Sequence, residues 1–290
     1  MRLSKCWLFI LITASILLLS DCFLFESYIN GVDYYAACWS PDGERIYYFK
    51  NVWKDKKYLK GESYSYKTIK DEWYICSCDT NGENEKVIYF LGDVIKGALR
   101  PLMSLDISLS GEIVYSTEAG IWIVDTNGLH NRQILTYGEK PRFAFNYQKI
   151  IFEYDSAIFL MNKNGEEVKK IIERGCNPSF ADITNKLLYN LSPKGYSMIY
   201  CYSLGDSTID SLTKGTDFDF NPSGNKFAFK YLGNMYIYDL DDSTKQFIVD
   251  LYFETLRWAP SDKIVISDLS IWVVNPSNKN VKEILIHRRW

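Results

Sequence analysis

Between Phe218 and Val249, apolar and polar residues alternate in four short runs, each closed by Gly, Pro, Asn or Asp. Phe218–Phe220, Lys226–Lys230, Met235–Asp239 and Gln246–Val249 read as strands, and Asn221–Asn225 and Leu232–Asn234 as turns between them. The same unit recurs along the chain. Its third strand aligns as ICSCDTNG from Ile75, IWIVDTNG from Ile121, IFLMNKNG from Ile158, IYCYSLGD from Ile199, MYIYDLDD from Met235 and IWVVNPSN from Ile271. The last five starts lie about forty residues apart, the period of a four-stranded propeller blade. The fifth position is Asp79, Asp125, Asn162, Ser203, Asp239 or Asn275, residue types that open a turn by bonding their own backbone.

The first strand repeats as well. Trp39, Ile107, Phe145, Phe180, Phe220 and Trp258 align in one column. Turns such as Ser40-Pro41-Asp42-Gly43 and Asn221-Pro222-Ser223-Gly224 follow it, with Pro setting φ and Gly taking the left-handed position. A single unit of this size cannot bury both of its faces, whereas units set radially pack each sheet on the next. Six units fit between Asp33 and Trp290. The expected fold is all-β, a six-bladed β-propeller of four-stranded blades over residues 33–290.

Trp39-Ser40-Pro41-Asp42-Gly43-Glu44-Arg45-Ile46, followed by an aromatic third strand and Asp79-Thr80-Asn81-Gly82, resembles the repeat of the TolB-type propeller family. That repeat is shared with the propeller domains of prolyl-oligopeptidase-like peptidases. The resemblance is closest in units one and five. It is weakest in unit four, where Ala181-Asp182-Ile183-Thr184 stands in place of the Pro-Asp-Gly turn. It concerns the propeller alone, and implies a fold rather than a peptidase, since no Gly-x-Ser-x-Gly motif occurs.

At the N-terminus, Arg2 and Lys5 precede an apolar run to Leu19 and then Ser20-Asp21-Cys22. Residues 1–25 are read as a secretory signal, a lipoprotein signal with Cys22 as the lipidated residue, or an uncleaved membrane anchor. All three place the rest of the chain outside the cytoplasmic membrane and attach it, or deliver it, through its N-terminus.

The net charge of −3 argues against a nucleic-acid binder, which would carry a basic face. Cys38, Cys76, Cys78, Cys176 and Cys201 are scattered or share one strand face, and are read as small buried hydrophobes. The Asp-Thr-Asn-Gly turns lack the further carboxylates and closing Glu of a calcium loop. No HExxH or phosphate-cradling Gly-Lys loop is present. A monomer without metal or cofactor is expected.

Two regions carry candidate function. Unit one has a long insertion between its second and third strands, Lys50–Glu72, which is rich in Lys and Tyr. It reads as an extended hairpin, Val52–Lys60 and Tyr64–Lys70, on the same face as the long link Tyr89–Leu102. Tyr, Trp and Arg are favoured binding anchors, and rigid scaffolds carry binding residues on such excursions. Trp53, Lys56, Lys57, Tyr58, Tyr64, Tyr66 and Arg100 are therefore candidate partner-binding residues. The second region is the channel. The residue preceding each first-strand column is Cys38, Asp106, Ala144, Ser179, Asp219 or Arg257, and alternation points it inward. Asp219 and Arg257 are expected to pair, with Asp106 across the channel.

The leading reading is a non-enzymatic, extracytoplasmic, membrane-associated propeller that binds a protein of the cell envelope, or a glycan, through the insertion. The rival is a hydrolase or lyase of sugars or lactones at the channel mouth near Asp106, Asp219 and Arg257. With only His130 and His287 in the chain and neither near a nucleophile, the rival has little catalytic equipment.

Overall fold

A computed structural model of the chain describes residues 27–60, 63–192 and 195–289. The N-terminal segment read as a signal or anchor, with Cys22, lies outside the described residues. Among those residues no helix is long and apolar enough to cross a membrane.

The architecture is all-β, with small antiparallel sheets in a propeller-like arrangement. The first sheet contains β1 (Ser27–Trp39), β2 (Arg45–Lys60), β3 (Ser63–Asp79) and β4 (Lys86–Asp93). Three further sheets have four strands each. They are β5 (Pro101–Ile107) to β8 (Arg132–Leu135), with β6 (Glu112–Thr117) and β7 (Gly120–Asp125); β9 (Glu139–Ala144) to β12 (Lys169–Ile172), with β10 (Lys149–Tyr154) and β11 (Ala157–Asn162); and the last sheet. Between the second of these and the last lie β13 (Cys176–Ala181), β14 (Lys186–Asn190), β15 (Ser197–Ser203), β16 (Thr208–Phe220), β17 (Lys226–Tyr231), β18 (Asn234–Asp239) and β19 (Lys245–Asp250), hydrogen-bonded as one seven-stranded sheet. The last sheet is β20 (Thr255–Trp258), β21 (Ile264–Asp268), β22 (Ser270–Asn275) and β23 (Asn280–Leu285), and β24 (Arg288–Arg289) leaves it to pair with β1.

The strand pairing corrects the expectation of six separate four-stranded sheets. β16 pairs with β15 through Thr208–Gly215 and with β17 through Thr216–Phe220, so units four and five share one strand. No Pro or Asn breaks the chain there. The change of partner falls between Gly215 and Thr216 and is followed by a register shift between Thr216 and Asp219. The first sheet also starts earlier than residue 33. Ser27–Val32 runs alongside Val52–Lys57, so β1 extends into the arm formed by the insertion.

Alternation along the strands places apolar side chains on both faces of every sheet, and these meet between neighbouring sheets. Phe49, Trp73 and Ile75 pack with Leu105, Ile113 and Tyr115. Val114 and Ile123 pack with Phe143, Ile150 and Phe152. Leu188 and Ile199 pack with Phe218, Phe227 and Phe229 across the two halves of the seven-stranded sheet. The same packing closes the chain on itself, with Trp39, Ile46 and Tyr48 of the first sheet against Val265, Ile271 and Val273 of the last.

The recurrent Asp/Asn-x-Asn-Gly turns do more than reverse the chain. A methyl group built on Gly82, Gly128 or Gly165 would lie 2.2, 2.2 and 2.0 Å from the carbonyl oxygens of Ile284, Ile88 and Ile134, respectively. Each of these carbonyls belongs to the outer strand of the preceding sheet. The turn glycine is thus required twice, for its positive φ and for the close approach of its neighbour.

Closure is also polar. Asp33 takes the Trp53 Nε1–H at 2.8 Å and the Tyr35 hydroxyl at 3.3 Å on one oxygen, and the His287 ring on the other. Tyr34 N–H donates to Leu269 O at 2.8 Å, and His287 N–H to Ser270 Oγ at 2.8 Å. The two ends of the chain pair directly, Gly31 with Arg289 and Val32 with Arg288.

Candidate functional site

The inner strands β1, β5, β9, β13, β16 and β20 line a central channel with the column Cys38, Asp106, Arg142, Ser179, Asp219 and Arg257. Arg142 replaces the expected Ala144, which is buried between sheets with Ile151 and Ile158. In register, Phe143 faces Ile150 as Trp39 faces Ile46 and Phe220 faces Phe227, so Phe143, not Phe145, is the column residue. Phe145 sits in the turn with φ 54°. A signal was available: six or seven residues separate each column residue from its register partner on the next strand, and Phe145 stands only five from Ile150.

The two channel carboxylates act alike. Asp106 Oδ2 accepts the Phe143 N–H of the next sheet at 2.8 Å, and Asp219 Oδ2 accepts the Trp258 N–H of the next sheet at 2.9 Å. Each satisfies a buried backbone donor that no strand partner reaches. Asp219 Oδ1 also takes the Ser179 hydroxyl at 2.8 Å and Arg142 Nη2 at 3.2 Å across the channel. The expected Asp219–Arg257 pair does not form. Arg257 Nη1 donates to Leu256 O at 2.8 Å, and its Nε is buried without a partner. Burial, then repulsion from Arg142, brings Arg257 down to about 10, outweighing the opposing pull of Asp219 and Asp106. Burial raises Asp106 above the ordinary carboxylate value against the pull of Arg142 and Arg257.

Cavities open at both ends of this waist. One of about 340 Å³ lies among the first-strand turns and includes Asp106, Asp182 and Asp219. The other, about 500 Å³, lies at the arm-bearing end and includes Lys140, Lys230, Tyr252 and Glu254. Arg142 and Arg257 line both.

The arm is built from the outward continuation of β1, β2 and β3, and its hairpin strands reach Lys60 and start again at Ser63, close to the expected limits. Cross-strand register splits the candidate binding residues between its two faces. Trp53, Lys57, Tyr64 and Tyr66 share one face, whereas Lys56 and Tyr58 belong to the other. Trp53 is packed rather than free: its indole lies on Gly31, where a Cβ would come within 2.2 Å, and Arg289 stacks over it at 5.7 Å. Lys57 caps the Tyr64 ring at 3.9 Å. Tyr64 and Tyr66 are 53% and 54% exposed, unusual for aromatics on a strand.

Arg100 reaches the base of the arm from the link between the first two sheets and donates to Asp71 Oδ2 at 2.8 Å. Asp71 Oδ1 takes Asn51 Nδ2 at 2.7 Å and Trp73 Nε1 at 2.8 Å. Insertion and link thus meet at one end of the molecule. A groove of about 670 Å³ runs along this inner face, walled by Asp33, Trp53, Asp55, Tyr66, Asp71 and Arg289, among others. Among the described residues no group of three His, Cys, Asp or Glu side chains is placed to hold a metal ion. The five cysteines described are buried and unpaired.

No protein-family profile matches the chain, and no characterised protein matches it in sequence. Solved structures that it resembles include TolB from Acinetobacter baumannii, with 13% identity, TM-score 0.61, and 89% of this chain and 80% of that one covered. The nidogen/laminin complex contains a chain matched at 8% identity and TM-score 0.60, over 89% of this chain and 94% of that one. An oligogalacturonate lyase in complex with manganese matches at 11% identity and TM-score 0.51, over 82% and 86%. The chain has a TolB-like β-propeller fold. At these identities the likeness carries the fold and none of the chemistry.

Proposed function

We propose that the chain is a six-bladed, non-enzymatic interaction propeller that works outside the cytoplasmic membrane and binds a protein partner through the inner face of the arm. The six-blade count treats the seven-stranded sheet as two blades sharing β16. Its support is the set of apolar clusters, each lying between consecutive four-strand units and one closing the first unit on the last. Attachment to the membrane is assigned to the N-terminal segment, through a signal, lipidation at Cys22 or an uncleaved anchor.

The observation that carries the binding reading is the exposure of Tyr64 and Tyr66 on a strand-built arm. Their rings stand beside a groove whose base is fixed by Asp33, Asp71 and Arg100. Ordering costs are already met in such a support, so aromatic contact area is available to a partner at little further entropy cost. Trp53, Lys57 and Arg100 complete this face, and Lys56 and Tyr58 offer a second contact on the reverse. A propeller of the same fold occurs in complex with laminin, which accords with an interaction role. The hydrolase or lyase reading is less well supported, because both channel carboxylates already hold backbone N–H groups of the neighbouring sheet.

The test is cross-linking capture from envelope membranes with the intact protein and with a Tyr64→Ser, Tyr66→Ser double variant. The expected result is a partner captured by the intact protein and lost from the variant, at equal Tm. Equal capture by both would overturn the arm as the binding site.

A further inference from the structure

The arm-end cavity has a charge balance unlike the rest of the channel. Its walls carry Lys140, Arg142, Lys230 and Arg257 against Asp217 and Glu254. Three of the four cations are matched: Lys140 by Glu153 at 3.2 Å, Arg142 by Asp219 at 3.2 Å and Lys230 by Asp217 at 2.8 Å. Among the described residues Arg257 has no carboxylate within ion-pair distance, and its one bond is to a carbonyl. An unpaired guanidinium held in a low-dielectric waist is costly unless something completes it. Guanidinium forks recognise planar carboxylates through two parallel hydrogen bonds. Leu102, Met103, Leu256 and Tyr252 give the same cavity an apolar wall, and about 500 Å³ suits a small molecule.

We propose that the arm-end mouth of the channel binds a small organic carboxylate, its anionic group on Arg257 and its apolar body against Leu102, Met103 and Leu256. The site is separate from the arm, and stands or falls independently of the partner-binding reading. The lowered proton affinity of Arg257 fits a cation that lacks its counter-charge.

Benzoate, succinate and inorganic phosphate serve as probes in thermal melts at constant ionic strength. An organic carboxylate is expected to give a saturable rise in Tm of roughly 5–10 °C at a hundredfold excess over Kd. Arg257→Gln should abolish that rise while melting, without ligand, at or above the wild-type temperature. Phenylglyoxal labelling of the wild-type protein gives a readout that needs no variant: Arg257 should be modified, and saturating benzoate should protect it. No saturable shift with either carboxylate, an unchanged shift in Arg257→Gln, a phosphate effect as large as the carboxylate effect, or unprotected labelling of Arg257 would each overturn the proposal.

Discussion

Removing the Asp219 carboxylate should unfasten three sheets at once. Its two oxygens hold Arg142 of β9, the Ser179 hydroxyl of β13 and the Trp258 N–H of β20, and it sits itself on β16, in the same seven-stranded sheet as Ser179. The ion pair is largely shielded, with side-chain exposures of 10% for Arg142 and 14% for Asp219. Asp219→Ala leaves a buried guanidinium and a buried backbone donor without partners. Breaking a buried pair in this way costs about 3–5 kcal/mol. For a chain of this length each kcal/mol is worth about 2–4 °C in Tm, so the variant should melt roughly 6–20 °C lower. Asp219→Asn keeps an acceptor for Trp258 but loses the charge, and should cost about 1–3 kcal/mol. Urea unfolding followed by Trp fluorescence, with circular dichroism as a second probe, measures both. If Asp219→Ala lies within about 1 kcal/mol of wild type, the carboxylate is not a fastener, and the main argument for setting aside an enzymatic channel falls with it.

Gly165→Ala should destabilise by about 2–4 kcal/mol, combining left-handed strain at φ +84° with a collision against Ile134 O. Gly205→Ala, where nothing lies within 4 Å, should be neutral in the same melts; equal effects would refute the seating role of the turn glycine. Stability against pH should respond in opposite senses to two carboxylates. Asp42 is held below its ordinary value by the Ser40 hydroxyl and the Glu44 N–H, so its contribution is complete above about pH 4 and is lost as pH falls through the lowered folded value. Asp106 is raised by burial, so its contribution is present below about pH 4 and is lost as pH rises through the raised folded value. Relative to wild type, the Tm of Asp42→Asn should therefore fall with rising pH and that of Asp106→Asn should climb; parallel curves for the two would contradict both assignments.

The repeat was legible because turn chemistry and strand alternation agree in nearly every unit, and the arm was legible because its insertion interrupts that agreement. The channel was only half legible. Phe143 and Phe145 are both aromatic and two residues apart, so a slip between them preserves inside and outside, and alternation cannot tell the two registers apart. Only the spacing to Ile150 separates them, and with it Arg142 enters the channel. The partner of Asp219 was illegible for a different reason. Arg142 lies 77 residues away and reaches Asp219 across the ring, a distance set by how many sheets the ring holds rather than by any local pattern. The merging of units four and five through β16 was not legible, because a continuous strand and two strands joined at Gly215 have the same alternation.

The seam where the ring closes also orders events during synthesis. Asp33 meets a residue 254 positions later, and Gly82 waits for Ile284. Until the last sheet leaves the ribosome, the apolar flank formed by Trp39, Ile46 and Tyr48 has no partner. Closing so long a loop adds little to its equilibrium cost, which grows only with the logarithm of length, but it delays the contact that rewards it. The first unit made is the last to be covered, and it is also the one that carries the arm. A nascent chain stalled before Ile264 would therefore display an open sheet flank beside a ready-made aromatic hairpin, a surface that a chaperone or a second nascent copy could hold until the final sheet arrives.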